Sequence, residues 1–202
     1  RLGKTSGELV RPMQRLLELE LLSKELPFDS MEKDSKKTTY RIADPFLTFW
    51  FRYVAPHRSW LAERLGSQVW AKIQQDFPAY VGEHWEKLAR WSVPHLSLSC
   101  GPWGPARRWW GSGANRRPLE IDVVARNFEG SHLLVGSVKW SEKLDFSRWV
   151  QELQTQAQMF QPDQKKVLAL WVKAAPNQAA QQLCRQAGVQ IFGPDEVLAV
   201  LR

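Results

Sequence analysis

The sequence is short of cysteine, histidine and long apolar runs, and each shortage closes off a class of function. Its two cysteines, Cys100 and Cys184, stand far apart with no ligand spacing around them. That excludes a disulfide framework and a thiolate metal cluster, so both read as reduced thiols, buried or half-buried. The four histidines (His57, His84, His95 and His132) are scattered without HxH or HExxH spacing, and no zinc site is expected. No apolar run approaches the roughly 20 residues that a membrane helix needs. One of the longest, Val167 to Val172, is strand-sized. With no secretory signal either, a cytoplasmic location is expected. The chain begins at Arg1 rather than Met, which reads as a truncation that leaves an upstream domain out.

Acidic residues are also the minority charge: 28 Lys and Arg stand against 21 Asp and Glu over 202 residues, a formal charge of +7. A surplus of that size favours approach to polyanions, because phosphate contacts release counterions. A hydrophobic content of 44% is that of a globular chain able to bury a sizeable core. The eleven tryptophans fall mostly on apolar faces, where core packing accounts for them.

Along the chain the pattern changes twice. Residues 1–45 predict a short helix from Thr5 to Val10 and a second one opening at Pro12, with Met13, Leu16 and Leu17 at helical spacing. A strand at Leu21–Lys24, a charged stretch from Asp29 to Lys37 and a strand at Thr38–Ile42 follow. That order is a winged helix lacking its first helix, with 29–37 as the wing. Residues 46–75 read as an aromatic helical joint carrying Phe46, Phe49, Trp50, Phe51, Tyr53 and Trp60. Residues 76–202 alternate helices and strands. Helices are expected at Ala79–Trp91, Phe146–Phe160, Gln178–Ala187 and Asp195–Leu201. Strands are expected at His95–Ser99, Arg107–Gly111, Leu119–Arg126, His132–Trp140, Val167–Val172 and Val189–Phe192. The fold class is thus α/β (α+β overall), a partial winged helix followed by a mixed sheet flanked by helices.

The strongest chemical constellation is Glu86 on a helix, Glu120-Ile121-Asp122 on one strand and Ser137-Val138-Lys139 on the next. Strand alternation puts Glu120 and Asp122 on one face, and Ser137 and Lys139 on one face. Acids and a lysine meeting at a sheet edge could hold Mg²⁺ through oxygen ligands, with Asp122 and Glu120 as the metal ligands, and activate water for phosphodiester cleavage. Solvated acids at strand ends are the plainer reading of the same pattern, except at Asp122, which sits inside Ile121-Asp122-Val123-Val124.

These segments carry a resemblance. Residues 40–52, Tyr-Arg-Ile-Ala-Asp-Pro-Phe-Leu-Thr-Phe-Trp-Phe-Arg, resemble the junction segment of the archaeal-type AAA-like ATPase family. Val81-Gly82-Glu83-His84-Trp85-Glu86, Trp109-Trp110-Gly111, Glu120-Ile121-Asp122-Val123-Val124-Ala125 and Gly136-Ser137-Val138-Lys139-Trp140 are similar in the same order. The resemblance implies a P-loop ATPase domain upstream, a winged helix, and a terminal domain like the PD-(D/E)XK nucleases. Any ATP site would then lie in the absent N-terminal domain, and the partner would be an ATPase domain of the same or a separate polypeptide. The family pattern has an acid two residues before the lysine, where this chain has Ser137. A hydroxyl is a poor ligand for a hard divalent cation. The expected function is therefore a nucleic-acid- or partner-binding module with a degenerate nuclease-like site, the alternative being an active metal-dependent DNA nuclease that uses Glu86, Glu120, Asp122 and Lys139.

Three weaker signals complete the reading. Gly3-Lys4-Thr5 ends like a Walker A loop, whose glycine-rich turn would fall before Arg1, and Gly7 and Pro12 interrupt the helix that should follow, so a turn within the winged helix is the plainer reading. Arg107-Arg108-Trp109-Trp110, with Arg116-Arg117 nearby, suits phosphate contact and base stacking, or else a strand with core Trp and solvated Arg. In the winged helix, Arg11, Gln14 and Arg15 are placed to face a DNA groove, or to meet a protein.

Overall fold

The computed structural model describes residues 3, 5–31, 37–114 and 116–202. The chain divides into two units: residues 1–26 with 30–80, and residues 27–29 with 81–202.

The first unit opens with helix α1 (Ser6–Glu18). One helix stands where two were expected. Leu9, Met13, Leu16 and Leu17 form a half-buried stripe at helical spacing that continues through Pro12, whose ring is exposed. At its start the Glu8 carboxylate accepts from the Thr5 backbone N–H at 2.8 Å. Strands β1 (Leu22–Glu25) and β2 (Thr39–Ile42) pair antiparallel. Residues 32–36 between them, the centre of the expected wing, and Lys4 of the Walker-like tripeptide lie outside the described residues. Helix α2 (Pro45–Phe49), capped by Asp44, runs into a π turn (Trp50–Val54) and a 3₁₀ turn (Ala55–His57), then α3 (Arg58–Ala62). Phe49, Tyr53 and Tyr80 pack edge-on or tilted at 5.1–5.9 Å. Asp76 clamps the turn, accepting from Arg52 Nε at 2.6 Å, Arg52 Nη2 at 3.0 Å and Tyr53 Oη at 2.7 Å.

Helix α4 (Gly66–Ser92) starts well before the expected Ala79 and contains Pro78. An interior proline costs roughly 3 kcal/mol relative to alanine. Burial of Val69, Ile73 and Tyr80 on one side of it, and of Trp85 and Ala89 on the other, outweighs that cost.

The second unit is built on a five-stranded sheet: β3 (Arg107–Ser112), β4 (Pro118–Arg126), β5 (His132–Lys139), β6 (Lys165–Val172) and β7 (Val189–Phe192), in that spatial order. The first three run antiparallel, and β5, β6 and β7 are parallel. Helix α5 (Phe146–Met159) connects β5 to β6, α6 (Gln178–Gln186) connects β6 to β7, and α7 (Pro194–Leu201) closes the chain. One face of the sheet presents Leu133, Val135, Leu170 and Val172 to Trp149, Val150 and Leu153 of α5 and Cys184 of α6. The other face presents Leu134, Ala169 and Trp171 to Trp85 and Ala89 of α4 and Val197 of α7. The mixed sheet flanked by helices is therefore present. The strand expected at His95–Ser99 is not: Val93–His95 is a 3₁₀ turn. The N–H groups of Leu98 and Ser99 are taken by Leu96 O and Gln190 Oε1, so no ladder forms there. Cys100 is exposed rather than half-buried, and Cys184 is buried.

Candidate functional site at the junction of strands β4 and β5

The site begins with an irregularity in β4. Its pairing with β3 shifts register between Arg107, opposite Val124, and Trp109, opposite Ile121, so β4 takes three steps where β3 takes two. The sides of the strand exchange as a result. Ile121 and Val124 belong to the core under α5, while Val123 and Ala125 belong to the core under α4. The ladder with β5 ends at Val123 opposite Gly136. There the Asp122 side chain takes over from the backbone. Its Oδ2 accepts from the Val138 N–H at 2.8 Å and from the Ser137 hydroxyl at 3.1 Å. Ser137 is 4% exposed, so its hydroxyl and Asp122 satisfy each other inside the protein.

A buried cation holds the other side of Asp122. Arg90, 8% exposed, donates from Nη1 to the Asp122 carbonyl at 3.0 Å and lies 3.5 Å from the Glu86 carboxylate one helical turn earlier. Burial raises the Glu86 carboxyl above its ordinary range and the Asp122 charge adds to the rise, while Arg90 and Arg108 oppose it. Glu86 thus feels the Asp122 charge across the space between α4 and β4.

The other candidates go elsewhere. Glu120 is exposed and ion-paired with Arg108 of β3, whereas the Asp122 carboxylate is engaged by β5, so the two acids serve opposite neighbours of the same strand. Lys139 extends to α5, where its Nζ is 3.5 Å from Glu152 Oε2. Arg148 Nε donates to Glu152 at 2.7 Å, and mainly through that bond the Glu152 carboxyl is held below its usual range. A cleft of about 460 Å³ opens here, lined by Arg148, Gln151, Glu152, Thr155 and Gln156. Among the described residues, no group of three or more His, Cys, Asp or Glu side chains could hold a metal ion.

The arginines separate by role. Trp109 packs on Phe160 at 4.8 Å and is core, while Arg108 stacks over Trp110 at 5.6 Å as it pairs with Glu120. Arg107 is exposed at the start of β3, and Arg116 and Arg117 are exposed on the β3–β4 hairpin. That hairpin is pinned by Gly113 N–H to Arg117 O and Arg116 N–H to Gly113 O, both 2.9 Å, with Arg116 at φ 59°. In the first unit Arg11, Gln14 and Arg15 are exposed on α1, and Gln14 and Arg15 reach Glu18. Sequence reasoning missed Arg90 and Glu152. Arg90 stands four residues after Glu86 on one helix, a spacing that could have revealed it. Glu152 had no such signal, because only the packing of α5 on β5 brings it to Lys139.

A helix followed by three antiparallel strands, a crossover helix and two parallel strands, with a coupled acid pair at the second strand, defines a class of α+β domain rather than a particular reaction. The chain belongs to the DUF234 family, archaea and bacterial proteins of unknown function, which it matches over residues 50–158. It is 31% identical over 153 residues to an uncharacterized protein of Methanocaldococcus jannaschii, a match that covers 71% of this chain and 32% of that protein. The chain thus spans about a third of the length of this relative. Among solved structures, Can2 from Sulfobacillus thermosulfidooxidans in complex with cyclic tetra-adenylate aligns with a TM-score of 0.37 and 11% identity, over 96% of this chain and 43% of that one. Among the described residues, no helix is long and apolar enough to cross a membrane.

Proposed function

We propose that the second unit is a nuclease-like domain retained for binding nucleic acid, working beside an ATPase domain of its own or a separate polypeptide in the cytoplasm. One observation carries this reading: Oδ2 of Asp122 is committed inside the fold, to the Ser137 hydroxyl and the Val138 N–H. A carboxylate that completes a strand ladder is poorly disposed to hold a cation. Arg107, Arg116 and Arg117 are exposed and suit contact with phosphate, and Arg11 and Arg15 are exposed on α1. The test is labelled single- and double-stranded DNA with EDTA, Mg²⁺ or Mn²⁺, run on native and denaturing gels. A salt-sensitive shift without cleavage, weakened by Arg116→Ala with Arg117→Ala, supports the reading. No shift at low salt sinks it.

A metal-dependent nuclease is the second reading, and Glu152 is what favours it. This acid stands beside Lys139, where Ser137 brings none. Cleavage that needs divalent metal and disappears in both Asp122→Ala and Glu152→Gln would establish that activity.

A further inference from the structure

The first unit contains a notch with no part in the site above. It lies between α3 and the first turns of α4, has a volume of about 330 Å³, and is lined by His57, Trp60, Gln68, Val69 and Lys72. From its chemistry we infer that it binds one nucleotide unit, the base against Trp60 and the phosphate at Lys72. Such sites are typically apolar walls with a few convergent polar groups, and the volume is at the small end of their range.

Each lining group has a defined capacity. Trp60 is 49% exposed and offers an indole face for stacking, while Val69, 3% exposed, is the apolar floor. His57 Nδ1 lies 2.8 Å from the Tyr53 carbonyl, which can only accept. Nδ1 therefore carries a proton, and in the neutral ring Nε2 is an acceptor for a ligand donor. Gln68 Oε1 accepts from the Ser67 hydroxyl at 2.7 Å, which leaves its two amide N–H groups for a ligand. Lys72 brings a positive charge, and no acid is among the described lining residues. A stacking wall, donors, one acceptor and an uncompensated ammonium together select a planar, hydrogen-bonding anion.

The walls are held in place before any ligand arrives. Leu65 N–H donates to Trp60 O at 2.9 Å and Arg64 takes φ 60°, fixing the α3–α4 turn. The Asp76 clamp on Arg52 and Tyr53 fixes the turn that carries His57. Preorganisation of this kind lowers the ordering cost of binding.

The same nucleotide chemistry comes from a free mononucleotide or from a single-stranded terminus. Calorimetric titration of the full chain with adenosine monophosphate, and separately with a short single-stranded oligodeoxynucleotide, distinguishes them. Binding of either probe is expected to weaken about tenfold in Trp60→Ala and to be lost in Lys72→Glu but kept in Lys72→Arg. Mononucleotide binding should be indifferent to Arg116→Ala and Arg117→Ala, which separates this test from that of the hairpin. Both substituted positions are exposed, and unchanged thermal unfolding of the variants shows that the fold is intact. Absence of binding by both probes, or binding that ignores Trp60 and Lys72, overturns the assignment.

Discussion

Glu152 of α5 and Lys139 of β5 stand 3.5 Å apart, so the lysine has a carboxylate partner although its own strand carries Ser137 two residues earlier. The pair is partly exposed, and exposed pairs contribute little, about 1 kcal/mol or less. Glu152→Gln should therefore leave thermal stability within that margin. If DNA cleavage exists, the same variant should remove it at unchanged stability. A stable variant with full cleavage would show that the acid has no catalytic part.

Ser137→Glu, which places an acid two residues before Lys139, should unfold the domain more readily rather than switch on a metal site. Ser137 is 4% exposed and already bonded to Asp122, so a carboxylate there meets a second carboxylate without solvent. The expected loss is roughly 3 kcal/mol or more by denaturant titration. Recovery of that loss on adding Mg²⁺ would instead mean that two acids in this position build a metal site.

Asp122→Ala strips partners from the Val138 N–H and the Ser137 hydroxyl, and should cost about 1–3 kcal/mol. Ser137→Ala removes only one of the two contacts and should cost less. A double-mutant cycle between them is expected to show coupling, since the groups touch. Strict additivity would refute the idea that they act as one unit.

Glu86 sets a pH dependence of unusual sign for an acid. Burial first, and the Asp122 charge second, raise its folded-state value, so the folded protein holds the proton more firmly than the unfolded chain. Its contribution is most favourable below the unfolded value of 4.5 and is lost as pH rises through the folded value. Wild type minus Glu86→Gln, followed by chemical denaturation between mildly acidic and neutral pH, should slope downward. An upward slope would mean that Arg90 dominates the carboxyl.

Gly136 lies where a Cβ would meet Trp171 Cζ3 at 2.5 Å and Val123 Cβ at 3.1 Å, and Trp171 is fully buried. Gly136→Ala should therefore lower stability by about 1–3 kcal/mol, read as a reduced denaturant midpoint.

Much of this was legible in advance because β4, β5 and β6 alternate or run apolar in the way buried strands do, and α5 and α6 carry caps at Asp145 and Asn177. Their bounds follow from local chemistry. The misses came where tertiary packing overrode a local signal. Pro12 reads as the start of a second helix, and the helix expected from Ala79 leaves Pro78 outside it, yet both prolines lie inside continuous helices. His95–Ser99 has strand-like residues, but its amides are claimed by Leu96 and by Gln190 from far along the chain. In the candidate site, Asp122 stands out in the sequence because an acid between buried neighbours needs a reason. Of its partners, Ser137 stood in the sequence pattern and Arg90 lies one helical turn after Glu86, whereas the Val138 backbone N–H carries no signature in the sequence.

The extra residue in β4 acts as a phase slip. Reading alternation forward from Leu119 assigns Val123, Val124 and Ala125 to the wrong side, because Ile121 and Val124, three apart, share a core. Any relative compared with this chain residue by residue must carry the slip at the same step. One that lacks it presents a different side chain to β5 even where its sequence looks alike. Deleting one residue between Ile121 and Val124 would bring the strand back into step and turn the acid out of its slot.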